Sequence, residues 1–169
     1  MKKKGFTLIE ILVVVTVIGI VMTAITVIFI NSFRAKSRIT VADILEQSGS
    51  QVLAELKDKI IAAPADGIPV CGGSGFPSST ITLTSGEDGG ETILTCVEGS
   101  KIASSSANGA FDLTPGNVVV SGCSSFVTCV EGDRTKTVSF QFSLTSKDPD
   151  AFGESLVTRV FNSNVVTRE

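Results

Sequence analysis

The order of hydrophobic and polar positions divides the chain into three stretches, of which the first is almost uniformly apolar. Between Ile11 and Ile30 the only interruptions are three threonines and Gly19. Twenty helical residues rise about 30 Å, which matches the hydrocarbon core of a bilayer. The run is longer than the apolar region of a cleaved secretory signal, and no A-x-A-like site ends it. The pattern predicts a transmembrane helix over residues 6–30 that stays with the protein.

In the second stretch, residues 31–63, apolar side chains recur every third or fourth position with charged residues between them. This spacing predicts an amphipathic helix that continues the span, with one stripe facing a core and one face in water. Pro64 is expected to end the helix, and Ser48-Gly49-Ser50 is expected to be its weakest point. The predicted stripe consists of Ile39, Ala42, Leu45, Gly49, Val52, Leu56, Ile60 and Ala63.

The third stretch, residues 64–169, is rich in serine, threonine and glycine and contains short runs typical of strands separated by turn residues. One strand face packed over the helical stripe predicts a two-layer α+β fold, a long N-terminal helix on a small antiparallel sheet. The domain organisation is therefore residues 1–5 as a leader, 6–30 and 31–63 as one helix, and 64–169 as a β domain. The predicted strands are Thr80–Thr84, Thr92–Val97, Asn117–Ser121, Thr137–Thr145 and Ser155–Phe161.

Composition argues against several classes of function. The net charge is −3, so the chain lacks the broadly basic character of a nucleic-acid binder. It contains no histidine, which removes the commonest general base and the commonest transition-metal ligand. No phosphate-binding glycine loop is present. The carboxylate-bearing segments 87–91 and 148–154 lack the alternation of a calcium loop and are interpreted as solvated turns. We therefore expect a non-enzyme with no cofactor and no metal site.

All four cysteines lie beyond the apolar run, at Cys71, Cys96, Cys123 and Cys129. An even number on one side of a membrane span favours disulfides in an oxidising compartment, and no closely spaced pair suggests zinc. Four cysteines allow three pairings. The short loop between Cys123 and Cys129 favours a disulfide between these two, which leaves Cys71 to pair with Cys96.

The residues before and inside the apolar run carry a resemblance to a known family. The segment K-K-K-G-F-T-L-I-E at positions 2–10 resembles the cleavage and methylation signature of type IV prepilins and pseudopilins, the class III prepilins. The resemblance implies that prepilin peptidase cuts between Gly5 and Phe6 and that Phe6 is N-methylated. It also implies that Glu10 pairs with the N-terminal amine of an adjacent subunit. Many major pilins of that family have a proline in mid-segment, where this chain has Val27.

The resemblance implies a structural subunit, a minor pilin or minor pseudopilin, of a type IV pilus or type II secretion-like filament. Its partners would be the prepilin peptidase, other pilin subunits through the N-terminal helix, the inner-membrane assembly platform and the lipid bilayer. The expected location is the bacterial inner membrane, single-pass with the N-terminus inside, and then an extracytoplasmic filament. The cysteines favour this orientation more than the flanking charges do, because Lys2–Lys4 are offset by Arg34, Lys36 and Arg38.

The alternative is a binding module that captures DNA in an uptake apparatus. Such a module requires a basic patch, and the overall charge argues against nucleic acid as a partner. The sequence leaves open which of the three machines, pilus, secretion or competence, the chain serves.

Overall fold

A computed structural model describes residues 7–64, 67–69, 71, 76–84, 90–107, 109–147 and 156–168. Its first element, α1, is one uninterrupted helix over Leu8–Ala62, 55 residues and about 82 Å long. The helix begins after Thr7, whose backbone is extended, and ends where Ala63 leads into Pro64. The predicted single long helix is therefore confirmed, and neither Val27 nor the Ser48–Ser50 segment interrupts it.

After α1, the described residues form two antiparallel sheets from the strands β1 Thr80–Thr84, β2 Glu91–Cys96, β3 Ile102–Ser106, β4 Gly109–Asp112, β5 Val118–Ser121, β6 Val127–Glu131, β7 Thr135–Ser146 and β8 Thr158–Arg168. Sheet I is a meander in the order β1-β2-β3-β4. In sheet II, β5 and β6 pair with different parts of one edge of β7, and β8 pairs along the whole of β7.

The core lies where the C-terminal half of α1 packs against β7 and β8. Leu45, Gly49, Val52, Leu56 and Ile60 are the buried residues of the helix, which confirms the predicted stripe over these positions. Three phenylalanines converge on the same interior, Phe140 and Phe142 from β7 and Phe126 from the position before β6: the Phe126 and Phe140 ring centroids are 5.5 Å apart, and those of Phe126 and Phe142 are 6.2 Å apart. At its N-terminal end the predicted stripe is wrong, because Ile39 is 60 % exposed.

At Gly49 the missing side chain determines how closely the helix and sheet approach. The ring of Phe161, on β8, lies against the Gly49 backbone, and a β-carbon at that position would be within 2.5 Å of three ring atoms. Phe161 also stacks on Phe142, with centroids 5.5 Å apart. Gly49 is therefore a packing position, not the weak point that its helix propensity suggested.

The α+β class is confirmed, while the β part is larger than predicted. Two sheets are present, and three strands were missed: β3, β4 and β6. The serines of β3 are typical of a turn in sequence, although Ser104 is buried at the core face of the strand. The segment of β6 had been assigned to a disulfide loop. β8 also extends seven residues beyond the predicted end at Phe161, to Arg168.

Candidate assembly site and membrane anchor

The N-terminal half of α1 is an apolar helix that no other part of the described structure covers. Every residue from Thr7 to Lys36 is exposed, and this helix is long and apolar enough to cross a membrane. Three threonines of the span donate their hydroxyl hydrogens to carbonyl oxygens three or four residues back: Thr16 to Val13, Thr23 to Ile20 and Thr26 to Met22. These bonds satisfy the hydroxyl donors within the helix, so they remain compatible with lipid.

Glu10 occupies the first turn of this helix. Its backbone N–H donates to the Thr7 carbonyl oxygen at 3.1 Å, and the Ile11 N–H donates to the same oxygen at 3.4 Å. Thr7 makes no side-chain capping bond. The Glu10 side chain is exposed, and its large apolar neighbours Leu8 and Ile9 are 84 % and 71 % exposed. A charged group in such surroundings is costly in lipid unless a partner of opposite charge accompanies it.

The end of the helix supplies the complementary chemistry. The first N–H groups of any α-helix have no acceptor within the helix, and its macrodipole makes this end partly positive. A free amine two residues before Leu8 would add a full positive charge at the same end. Such an end can bind a carboxylate presented by a neighbouring molecule. Glu10 places a carboxylate of this kind in the first turn of α1.

The residues predicted for cleavage and methylation, Gly5 and Phe6, lie outside the residues that the structure describes. Their roles in cleavage and methylation therefore remain predictions.

All four cysteines form disulfides, as predicted, but the pairing was wrong. Cys71 is bonded to Cys129, with Cα atoms 5.0 Å apart, and Cys96 to Cys123, with Cα atoms 5.4 Å apart. The predicted Cys123–Cys129 loop does not form because Cys123 begins a short 3₁₀ helix, Cys123–Ser125, and Cys129 lies in the extended strand β6. An extended strand advances about 3.3 Å per residue, so it carries Cys129 away from the 3₁₀ helix.

The observed disulfides hold segments that are distant in sequence. Cys71–Cys129 spans 58 residues and attaches the segment after α1 to sheet II. Cys96–Cys123 spans 27 residues and joins the end of β2, in sheet I, to the 3₁₀ helix beside sheet II. Both bonds therefore fix the relative positions of elements instead of closing a local turn.

Glu98 is a structural residue that the sequence analysis missed. One carboxylate oxygen accepts the Gly122 N–H at 3.2 Å, and the other accepts the Cys123 N–H at 2.8 Å. Gly122 has a φ of +82°, a conformation that favours glycine. A second link lies beside it, where the Gly99 N–H donates to the Val120 carbonyl oxygen at 2.9 Å. Glu98 thus reinforces the sheet I–sheet II junction next to the Cys96–Cys123 disulfide.

No group of three metal-binding side chains occurs within the described ranges. The segments 87–91 and 148–154, considered above as calcium loops, lie outside those ranges except for Gly90 and Glu91.

Comparison with known protein families identifies the start of the chain. A family model described as the prokaryotic N-terminal methylation motif matches residues 1–26. Comparison with curated proteins and with solved structures gives no match. The match covers the basic segment, the glycine, Glu10 and most of the uncovered apolar helix. The chain therefore carries the class III prepilin signal at the start of a long N-terminal helix that antiparallel sheets follow, an arrangement consistent with a type IV pilin-like protein.

Proposed function

We propose that this chain is a minor structural subunit, a minor pilin or minor pseudopilin, of a type IV pilus or type II secretion-like filament. Prepilin peptidase cleaves it between Gly5 and Phe6 and methylates Phe6. The mature protein is anchored in the inner membrane by residues 6–30, with the β domain outside. It enters the filament when Glu10 pairs with the amine of an adjacent subunit. The family to which the motif points is structural, which agrees with a role other than catalysis.

One observation carries the proposal. The methylation motif at residues 1–26 leads directly into a helix whose apolar residues are left uncovered by the rest of the fold. A soluble domain does not expose such a continuous apolar surface, so lipid or other helices must cover it. The apolar helix of a pilin-like subunit is covered first by the bilayer and then, in the filament, by the helices of neighbouring subunits.

The energetics of Glu10 favour pairing between subunits. A carboxylate within an apolar span costs up to about 2.5–3.5 kcal/mol on insertion scales, and less near the interface. The amine exposed by cleavage carries the opposite charge at the same end of the helix. Pairing offsets the cost of both groups, whereas a misplaced subunit leaves both unpaired. The pair therefore acts mainly to select the register of one helix against the next.

One feature supports a minor subunit, and another argues against the tip position of a secretion pseudopilus. Major pilins are expected to have a pair of cysteines that closes the C-terminal region, whereas here β8 contains no cysteine and both disulfides lie before β7. Tip subunits of secretion pseudopili often lack the glutamate of the span, whereas this chain has Glu10. No observation favours the DNA-capture alternative, and the net charge of −3 argues against it.

Cleavage can be tested in cells that contain prepilin peptidase. The membrane-derived protein is expected to lack residues 1–5 and to start at Phe6 with one added methyl group, measured by intact mass and N-terminal sequencing. Gly5→Leu should block cleavage, because the peptidase needs close access to a backbone without a side chain. Recovery of the wild-type chain with Met1–Lys4 still attached would refute the proposal.

Assembly can be tested with Glu10→Ala and the matched control Glu46→Ala, which removes an exposed carboxylate from the same helix. The Glu10 variant should insert and be cleaved normally, because a costly group has been removed, while its incorporation into filaments falls. Incorporation is measured by immunoblotting of sheared filaments against the membrane fraction. The control should assemble like wild type. Equal incorporation of all three proteins would show that the carboxylate has no part in assembly.

A further inference from the structure

We infer that Arg34, Lys36 and Arg38 form a juxtamembrane basic cluster that binds the phosphate groups of anionic phospholipids at the outer surface of the membrane. This inference deepens the proposed function, because it requires residues 6–30 to span the bilayer. It assigns the lipid partner of a segment that belongs to neither the apolar span nor the core of the β domain.

The axial position of the cluster matches the headgroup layer. When Ile11–Ile30 fills the hydrocarbon core, the Cα atom of Arg34 lies about 6 Å beyond it and that of Arg38 about 12 Å beyond it. The headgroup region adds roughly 5–7 Å on each side of that core. Side chains of an α-helix lean toward its N-terminus, which here is the membrane side. All three long side chains therefore extend back toward the phosphates.

The angular distribution of the cluster fits a layer that surrounds the helix. At 100° per residue, Arg34 and Arg38 lie on one face, one turn apart, and Lys36 lies about 200° away on the opposite face. All three residues are exposed. Lipid headgroups surround a spanning helix and can therefore contact cations on every side of it. The distribution of charge around the full circumference thus favours lipid.

A pair of aromatic rings marks the same boundary. Phe29 and Phe33 pack edge to face with centroids 4.5 Å apart, and Phe33 is 48 % exposed. Phe29 lies in the last turn of the apolar run, and Phe33 directly precedes Arg34. The first fully buried residue of α1, Leu45, lies about 16 Å beyond Arg34 along the helix. The cluster consequently occupies a segment of helix between the apolar span and the domain core.

The effect of these three positive charges on membrane orientation further supports a role in lipid binding. In the proposed orientation, three cations follow the span on the outer side, where positive charge acts against the orientation. Before cleavage, Lys2, Lys3 and Lys4 on the other side of the span only equal them in number. Attraction to anionic headgroups accounts for their type and their position.

The experiment uses the full chain in vesicles and a fluorescent reporter. Because the chain has no tryptophan or tyrosine, Phe33→Trp supplies a single donor beside the cluster. Energy transfer is measured to pyrene-labelled phosphatidylglycerol or to pyrene-labelled phosphatidylcholine, each at the same mole fraction in phosphatidylcholine vesicles. With the cluster intact, transfer to phosphatidylglycerol should indicate an enrichment of about two- to fivefold at low salt, declining toward 0.5 M salt.

The test variant carries Arg34→Gln, Lys36→Gln and Arg38→Gln. Its matched control carries Lys59→Gln, Arg134→Gln and Arg159→Gln, which removes the same charge from exposed positions of the β domain and the far end of α1.

The test variant should lose the preference for phosphatidylglycerol, with a transfer ratio close to 1, and the control should keep it. Equal transfer to both lipids in the protein with the intact cluster overturns the inference. A preference that persists in the test variant also overturns it, because the preference then does not come from these three cations. Failure of the chain to co-float with vesicles overturns the membrane anchor itself, so the two failures are distinguishable.

Discussion

Replacing Gly49 with alanine tests whether the contact between α1 and β8 is as close as the structure shows. In an exposed helix interior the change stabilises a protein by about 1 kcal/mol, because glycine has the poorer helix propensity. Here the new methyl group overlaps the ring of Phe161, which is only 6 % exposed and is held against Phe142. Overpacking of this kind costs about 1–3 kcal/mol. The net expectation is destabilisation of up to about 2 kcal/mol.

The same overlap predicts that the sign of the effect depends on residue 161. Phe161→Leu alone leaves a cavity and destabilises the domain, but it also removes the ring atoms that the alanine would meet. In that background Gly49→Ala should stabilise the domain by about 1 kcal/mol, the full propensity gain. The coupling between the two substitutions is therefore expected to be about 1–3 kcal/mol, within the range measured for residues in contact.

The assay is pulse proteolysis of the full chain in mild detergent across a urea series, which reports the fraction of folded β domain without a tryptophan. With a urea m-value of about 2 kcal/mol per M, Gly49→Ala should lower the midpoint by up to roughly 1 M. Ser50→Ala is the matched control, because Ser50 is exposed on the adjacent position of the helix, and it should change the midpoint little. Additive effects of Gly49→Ala and Phe161→Leu would refute the reasoning from close approach.

Three further outcomes are expected. Peptide mapping without reduction should recover peptides linked through Cys71–Cys129, and recovery of a linked Cys123–Cys129 peptide would contradict the structure. Replacing Cys71 and Cys129 with alanine should lower the free energy of unfolding by about 4 kcal/mol, from the chain entropy of a 58-residue loop. Glu98→Gln should lower the free energy of unfolding by about 1–2 kcal/mol, because an amide can accept at only one of its two polar atoms; an unchanged urea midpoint would show that the junction does not need the carboxylate. Leu45→Ala should cost about 2–5 kcal/mol as a large-to-small change in the core, and a cost below 1 kcal/mol would place the start of the core elsewhere.

The helix could be predicted because its sequence signals are local and repeat over many residues. A continuous apolar run, then a three-to-four periodicity and then Pro64 indicated one long helix, and four of its buried positions follow directly from that periodicity. The exposure of Ile39 shows the limit of predicting burial from helical periodicity alone. Its spacing fits the stripe, but the sheets do not extend far enough along α1 to cover it.

The β domain was predicted less completely because strand pairing joins residues that are distant in sequence. In β3 the serines give no hydrophobic alternation, although backbone hydrogen bonds to β2 and β4 hold the strand. The disulfide error has the same origin. A short loop is easily closed only when its residues turn back, whereas the residues before Cys129 pair with β7 and are extended. Loop length alone does not reveal that competing pairing.

For the candidate site, the sequence and the structure contribute different information. The proposed roles of Gly5, Phe6 and Glu10 rest on resemblance to the prepilin signature, while the structure adds that Glu10 lies in the first turn of an uncovered helix. Glu98 gave no sequence signal, because a glutamate in a turn is ordinarily solvated. Its role depends on Gly122 and Cys123 lying nearby in space, which only the fold determines.

Anchoring and folding are carried by separate parts of α1, and this separation makes the Glu10 test specific to assembly. Glu10 and the first fully buried residue, Leu45, lie thirty-five residues apart, or about 52 Å along the helix. Substitutions this far apart, with no shared contacts, are expected to have additive effects on stability. Glu10→Ala should therefore leave the urea midpoint of the β domain unchanged while it lowers filament incorporation. Gly49→Ala should lower the midpoint and affect incorporation only through the amount of folded subunit. A lower urea midpoint in the Glu10 variant would mean that the span and the β domain are energetically coupled, and the loss of filaments could then no longer be attributed to the missing carboxylate.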